Sequence, residues 1–216
     1  MSIILSFLEV FRMVDKKLDQ CMKPHGEEGI ETIQNMNENH KDIYDFGFEC
    51  VDVGNDYRIL DIGCGGGVNI ERFLKLTNAN VDGLDYSEVS VSESIKRNRS
   101  SVDEGRCRII QADVSDMPVE DESYDLISAF ETVYFWPDIG ETFKEVYRII
   151  KENGRFMIAQ GTDGNHPDDE KWLETVEGMS VYDAEELEKY LHGAGFSSVN
   201  SFKKDNSHIL VVIAQK

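Results

Sequence analysis

Arg58-Ile59-Leu60-Asp61-Ile62-Gly63-Cys64-Gly65-Gly66-Gly67 decides the fold. Apolar residues around one acid read as a buried strand, Gly-x-Gly-x-Gly turns out of it, and residues 68–76 continue with a helical pattern. In open α/β sheets, ligands sit beyond the carboxyl ends of the strands, where glycine lets backbone approach them closely. The dinucleotide fingerprint requires G-x-G-x-x-G. Its sixth position is Val68 counted from Gly63 and Ile70 counted from Gly65, so both registers fail. Asp61, just ahead of the glycines, would repel a pyrophosphate and suit a ligand with cationic or hydrogen-bond-donating groups. S-adenosyl-L-methionine is such a ligand, with an ammonium, a sulfonium and no phosphate.

Beyond this stretch, strand-like and helix-like segments alternate. The strands are expected at 57–62, 80–84, 107–111, 124–129, 155–159, 198–202 and 208–214. Helices are expected at 68–76, 88–99, 139–151 and Ala184–Ala194, the last with Asp183 as its cap and Gly195 as its stop. Alternation of this kind implies a parallel sheet covered on both faces. The last two strands are joined by only residues 203–207, too few for a parallel return, so they form an antiparallel hairpin. The fold class is therefore α/β: a doubly wound, mostly parallel seven-stranded sheet with an antiparallel edge hairpin. Residues 1–55 read differently, as a helical cap: one amphipathic helix over 1–18, a break at Lys23-Pro24-His25-Gly26, and a second helix over 28–51. Residues 56–216 form the ligand-binding domain.

Two further acids follow the same logic. Asp85, in Gly83-Leu84-Asp85-Tyr86-Ser87, ends the second strand near the offset at which an acid takes ribose hydroxyls. Tyr86 is placed to lie against an adenine face. Asp113, in Gln111-Ala112-Asp113-Val114, ends the third strand and is placed to accept from an adenine amino group. One strand-end acid is often a turn or cap residue; three on successive strands behind a glycine loop point to a ligand.

With these residues the chain resembles the class I S-adenosylmethionine-dependent methyltransferases, a Rossmann-like family, and looks nearest to its small-molecule, ubiquinone-type branch. The resemblance covers about residues 57–216 and includes Ser123-Tyr124-Asp125-Leu126-Ile127 and Ile149-Ile150-Lys151-Glu152-Asn153-Gly154-Arg155. It implies that Gly63, Cys64, Gly65 and Gly67 bracket the methionine part of the cofactor, and that Asp85 binds the ribose. It implies that Asp113 and Val114 read the adenine edge and that Phe130 borders the methionine chain. It also implies that the N-terminal helices cap the active site and set specificity.

The chemistry expected is in-line transfer of a methyl group to a small-molecule nucleophile. The enzyme supplies alignment and dryness, and a base only where the nucleophile arrives protonated. Candidate catalytic groups are His40, with Tyr44 one turn on, Glu131 and Tyr134 after the fourth strand, and His166 after the fifth. The segment Phe130-Glu131-Thr132-Val133-Tyr134-Phe135-Trp136-Pro137 lacks the [Asn/Asp]-Pro-Pro-aromatic sequence of amide and adenine N-methyltransferases. Two other readings stay open: a non-catalytic module that keeps the cofactor pocket, and, against Asp61, an NAD-dependent oxidoreductase.

Composition narrows the partners. The 216 residues carry 22 Lys and Arg against 42 Asp and Glu, a net charge of −20. Such a surface repels nucleic-acid phosphates and anionic membranes. Most of the excess acid falls in residues 113–145 and 163–188; the second window reads as solvated surface. No run approaches the ~20 apolar residues of a membrane span. Cys21, Cys50, Cys64 and Cys107 are too scattered for a zinc site, and no metal is expected. With Glu9, Arg12 and Asp15 interrupting the apolar start, no secretion signal is read, so a reducing cytoplasm, free thiols and a monomer or homodimer are expected.

Overall fold

The computed structural model describes residues 20–176 and 178–216. The amphipathic helix expected over 1–18 lies outside them. Seven strands form one sheet in the order β3-β2-β1-β4-β5-β7-β6. They are β1 (Ile59–Ile62), β2 (Val81–Asp85), β3 (Ile109–Gln111), β4 (Tyr124–Phe130), β5 (Ile150–Gln160), β6 (Ser198–Lys203) and β7 (Leu210–Gln215). β1 to β5 are parallel; β7 runs antiparallel to both β5 and β6. The expected reversed strand is β7, and the hairpin carries β6 to the edge. β1 and β2 are buried along their whole length, as strands covered on both faces must be, while β6 is almost wholly exposed.

The helices are α1 (Gly26–Asn39), α2 (Lys41–Cys50), α3 (Val68–Phe73), α4 (Glu88–Arg97), α5 (Arg99–Asp103), α6 (Ile139–Ile149), α7 (Asp169–Thr175) and α8 (Ala184–Ala194). On one sheet face, Phe143, Val146 and Ile149 of α6 and Leu187 and Leu191 of α8 pack on Phe156, Ile158 and Leu210. On the other, Ile43 and Tyr44 of α2 and Ile70 and Phe73 of α3 pack on Ile59, Met157 and Val211. The helix over Ala184–Ala194 has its expected ends: Asp183 and Glu186 make a reciprocal capping box and Gly195 adopts φ +115°.

Three expectations need correction. The helix expected over 28–51 is two helices, broken at His40, just after the weak helix formers Asn37 and Asn39. The helix expected over 88–99 likewise breaks at Asn98, whose side chain turns back to the Gly67 and Ser94 carbonyls. Helix 139–151 ends at Ile149, because Ile150 and Lys151 already belong to a longer β5.

Candidate functional site

The carboxyl ends of β1, β2 and β4 open onto connected cavities. Gly63, Gly65 and Gly67 all have positive φ, +70°, +50° and +72°, where L side chains are strained. They differ in surroundings. A Cβ on Gly63 would lie 2.3 Å from Thr132 Oγ1, whereas one on Gly65 would meet nothing within 4 Å. The space at Gly65 belongs to a cavity of about 680 Å3. Gly66 carries the roof: Ile33 and Asn37 of α1 fill the place of its missing side chain.

Two carboxylates face this cavity from below. Asp61 is 2% exposed and accepts from Ser128 Oγ at 2.7 Å. Burial pushes it up to about 7, with the neighbouring Asp85 adding to the effect against the Ser128 hydrogen bond. Asp85 closes β2 and accepts from Gly65 N and Ser87 N, both at 2.9 Å; burial also raises it. Asp113 lies two residues past the end of β3, exposed, and accepts from Ser115 N and Oγ, which hold it low. With Val114 and Tyr86 it lines a second cavity of about 400 Å3, which meets the first at Asp85, Tyr86 and Phe135. Phe130 borders the first cavity and packs edge-on against Tyr44. Cys64 is buried beside Ser94, its thiol held well above the ordinary range by burial.

A third cavity, about 790 Å3, opens on the far side of Glu131. Cys21, Met36, His40, Glu131 and Phe135 line both it and the first cavity, so they mark the junction. Here the structure brings three sequence candidates together. Tyr134 Oη donates to Glu131 Oε1 at 2.9 Å, Gly161 N donates to the same oxygen at 2.5 Å, and His40 Nε2 lies 3.7 Å from Glu131 Oε2. Glu131 adopts φ +57°, the left-handed turn that aims it back under His40. Tyr44, edge-on to the His40 ring, lines the first cavity, and burial raises its phenol. His166 stands in the third cavity with its ring against His208, its Nδ1 accepting from Asp168 N at 3.1 Å.

Several site residues were not read from the sequence. Asn69, 4% exposed, lines the first cavity, and its buried Oδ1 has no hydrogen-bond partner. Residues 20–25 close that cavity: Tyr86 Oη donates to the Met22 carbonyl at 2.7 Å and Ser87 Oγ to the Pro24 carbonyl at 2.5 Å. Ile33, Asn37, His40 and Tyr44 recur at helical spacing and all line the cavity, a periodicity that was available in the sequence. Helix α7, also unread, brings Asp169 and Trp172 to the third cavity. The window 163–188 is accordingly not all solvated surface. Asp163 is 8% exposed and pairs with Lys203 and His208, because the loop after β5 folds back on the final hairpin.

These features fit S-adenosylmethionine. Its sulfonium and ammonium match Asp61 and the orphaned Asn69 oxygen, its ribose matches Asp85, and none of the described residues lining the two cofactor cavities is Lys or Arg, as a pyrophosphate would want. Among the described residues, no group of three or more His, Cys, Asp or Glu is disposed to hold a metal, and no helix is long and apolar enough to cross a membrane.

Comparison with known proteins agrees. Residues 60–158 match the model of a methyltransferase domain. Cycloartenol-C-24-methyltransferase 1 of Oryza sativa subsp. japonica is 31% identical over 103 residues, 48% of this chain and 30% of that protein. Methyltransferase GfsG of Streptomyces halstedii is 32% identical over 112 residues, 52% of this chain and 40% of that protein. The chain thus matches less than half the length of these relatives. Among solved structures, the methyltransferase in complex with the Haloferax volcanii Trm112 activator aligns with a TM-score of 0.73 at 19% identity, covering 85% of this chain and 92% of that one, a likeness of fold. Over residues 60–158 the chain thus carries a methyltransferase domain, and its seven-stranded sheet shares the fold of that solved structure.

Proposed function

We propose that this chain transfers the methyl group of S-adenosylmethionine to a small-molecule nucleophile. The observation that carries the reading is a buried carboxylate, Asp61, at the mouth of a glycine loop whose cavity has no basic lining among the described residues. The relatives named as acting on cycloartenol and the acidic surface favour a small, non-polyanionic acceptor. When bound, the cofactor supplies an electrophilic methyl on a sulfonium.

In this reading Gly63, Cys64, Gly65 and Gly67 admit the methionine end beside Asp61 and Phe130. Asp85 takes the ribose hydroxyls, and Tyr86, Asp113 and Val114 hold the adenine. His40, Tyr44, Glu131, Tyr134 and His166 form the wall toward the acceptor. Residues 1–55 act as the cap and 56–216 as the catalytic domain, in a cytoplasmic monomer or homodimer with its four thiols reduced. Exclusion of water follows from residues 20–25 lying over the donor cavity.

Calorimetry with S-adenosylmethionine, S-adenosylhomocysteine and NAD is the direct test. Binding of the first two and silence toward NAD is expected; tight NAD binding alone would overturn the reading. Labelled-methyl transfer to a metabolite panel separates an enzyme from a module that only binds.

A further inference from the structure

We propose that Arg97, which lies outside the donor cavity, is a positioning residue for the methyl donor: it holds the Gly66 carbonyl and so sets the glycine loop before the cofactor arrives. This rests on the methyltransferase reading and deepens its donor site.

Gly66 separates two spaces. On one side it lines the donor cavity, and on the other a groove of about 780 Å3 between α1, α3 and α4. The charges of the groove already match one another, Lys96 with Glu93 at 3.3 Å and Arg97 with Glu71 at 3.1 Å. The groove therefore bounds the loop rather than inviting a charged ligand of its own.

Four of residues 63–67 are glycine, the residue with the most backbone freedom to lose on ordering. Such a loop presents one fixed surface only where its peptides are held. Gly65 N donates to Asp85 Oδ2 at 2.9 Å. Gly67 N donates to the Cys64 carbonyl at 2.9 Å, and the Gly67 carbonyl accepts from Asn98 Nδ2 at 3.0 Å. Between them, the Gly66 carbonyl accepts from Arg97 Nε at 3.0 Å. The 66–67 peptide is thus pinned at both ends, its oxygen by Arg97 and its nitrogen by the Cys64 carbonyl. Helix α1 presses from its own side: a Cβ on Gly66 would lie 2.6 Å from Ile33 Cγ2 and 2.9 Å from Asn37 Nδ2.

An arginine suits this task. Its guanidinium is a planar fork of donors, so Nε serves the carbonyl while Nη1 donates to Glu71 Oε2 at 3.1 Å. The other Glu71 oxygen accepts from Lys75 Nζ at 2.9 Å, which steadies the carboxylate. The Arg97 and Glu71 side chains are 38% and 41% exposed, and a solvent-facing ion pair of that kind contributes little to overall stability. Its effect falls on the loop instead. Without the pin the 66–67 peptide samples other orientations, and apparent cofactor affinity drops by the fraction of time it spends away from the competent one.

The test uses the full chain and S-adenosylhomocysteine as probe. Arg97→Met keeps the apolar stem and removes the donors; it should raise Kd about five- to tenfold by calorimetry, the loss of one charge-assisted hydrogen bond. Tm should stay within about 2 °C of the wild type, as for an exposed pair. Arg97→Lys, whose ammonium can reach the carbonyl but lacks the fork, should recover part of the affinity. Glu71→Gln should weaken binding by a smaller factor, and should add nothing in the Arg97→Met background if both act through the same carbonyl. A readout without ligand is amide exchange of Gly67 by NMR: Arg97→Met should speed it several-fold, while the buried β1 amides of Ile59 and Leu60 keep the wild-type rate. An unchanged Kd in folded Arg97→Met, a weakened Kd accompanied by a Tm loss above about 5 °C, a Gly67 amide indifferent to Arg97, or additive effects of Glu71→Gln and Arg97→Met would each overturn the proposal. A wild type silent toward S-adenosylhomocysteine would instead overturn the methyltransferase reading, and Gly67 exchange would still report whether Arg97 holds the loop.

Discussion

Asp61 stores a cost that the ligand relieves. Its folded value of about 7 lies above that of an exposed Asp, so between about pH 4 and 7 the folded chain keeps a proton that the unfolded chain releases. This group's contribution to stability therefore falls as pH rises through that window, by a few kcal/mol in all, on the order of 1.4 kcal/mol per pH unit of difference. Asp61→Asn keeps an oxygen to accept from Ser128 and is expected to raise Tm at pH 8 while weakening S-adenosylmethionine; a variant of unchanged Tm would contradict the cost. In the wild type a cationic ligand favours the ionised form, so affinity should fall up to tenfold per pH unit below about 7 and level off above it, read by calorimetry across pH. The glycines separate two roles in the same way. Gly65→Val meets open space and bears only the strain of φ +50°, about 1–2 kcal/mol, yet should lose S-adenosylhomocysteine binding. Gly63→Ala meets Thr132 at 2.3 Å and should lose more stability by urea titration despite its smaller side chain.

The segment ahead of α1 works as an element. It is tied to the loop after β2 by two hydrogen bonds, from Tyr86 Oη to Met22 and from Ser87 Oγ to Pro24, and Lys23 lies 4.8 Å from the Tyr86 ring centroid. Cys21 and Met22 line the cavities on either side, so this segment is placed to gate the cofactor. Tyr86→Phe removes one tie and keeps the ring. It should speed S-adenosylhomocysteine dissociation several-fold in stopped flow with a nearly unchanged Tm, since one hydrogen bond contributes about 0.5–1.5 kcal/mol. An unchanged off-rate would show that the tie does not gate entry. The break at His40 has a consequence at this scale too. It lets α2 turn so that Tyr44 faces Phe130 while His40 itself points to Glu131.

For the whole molecule the dominant quantity is the charge of −20. Ion pairs such as Arg148 with Glu145 and Asp121 bind part of it locally, but the excess repels itself across the surface. Raising NaCl from low ionic strength to about 0.5 M should therefore raise Tm by several degrees through screening, and a Tm that falls with salt would contradict this. The sequence by itself determined the strand–glycine–helix unit, the alternation that makes a parallel sheet, the terminal hairpin and the three acids Asp61, Asp85 and Asp113. Periodicity, turn chemistry and linker length are local properties, and each is written in a few consecutive residues. Only the tertiary structure decided that α1 roofs Gly66, that His40 meets Glu131, that Asp163 is an internal salt bridge and that Asp61 sits near neutrality. Those depend on which distant residues exclude water from one another, and distance in space is not encoded at any single position in the chain.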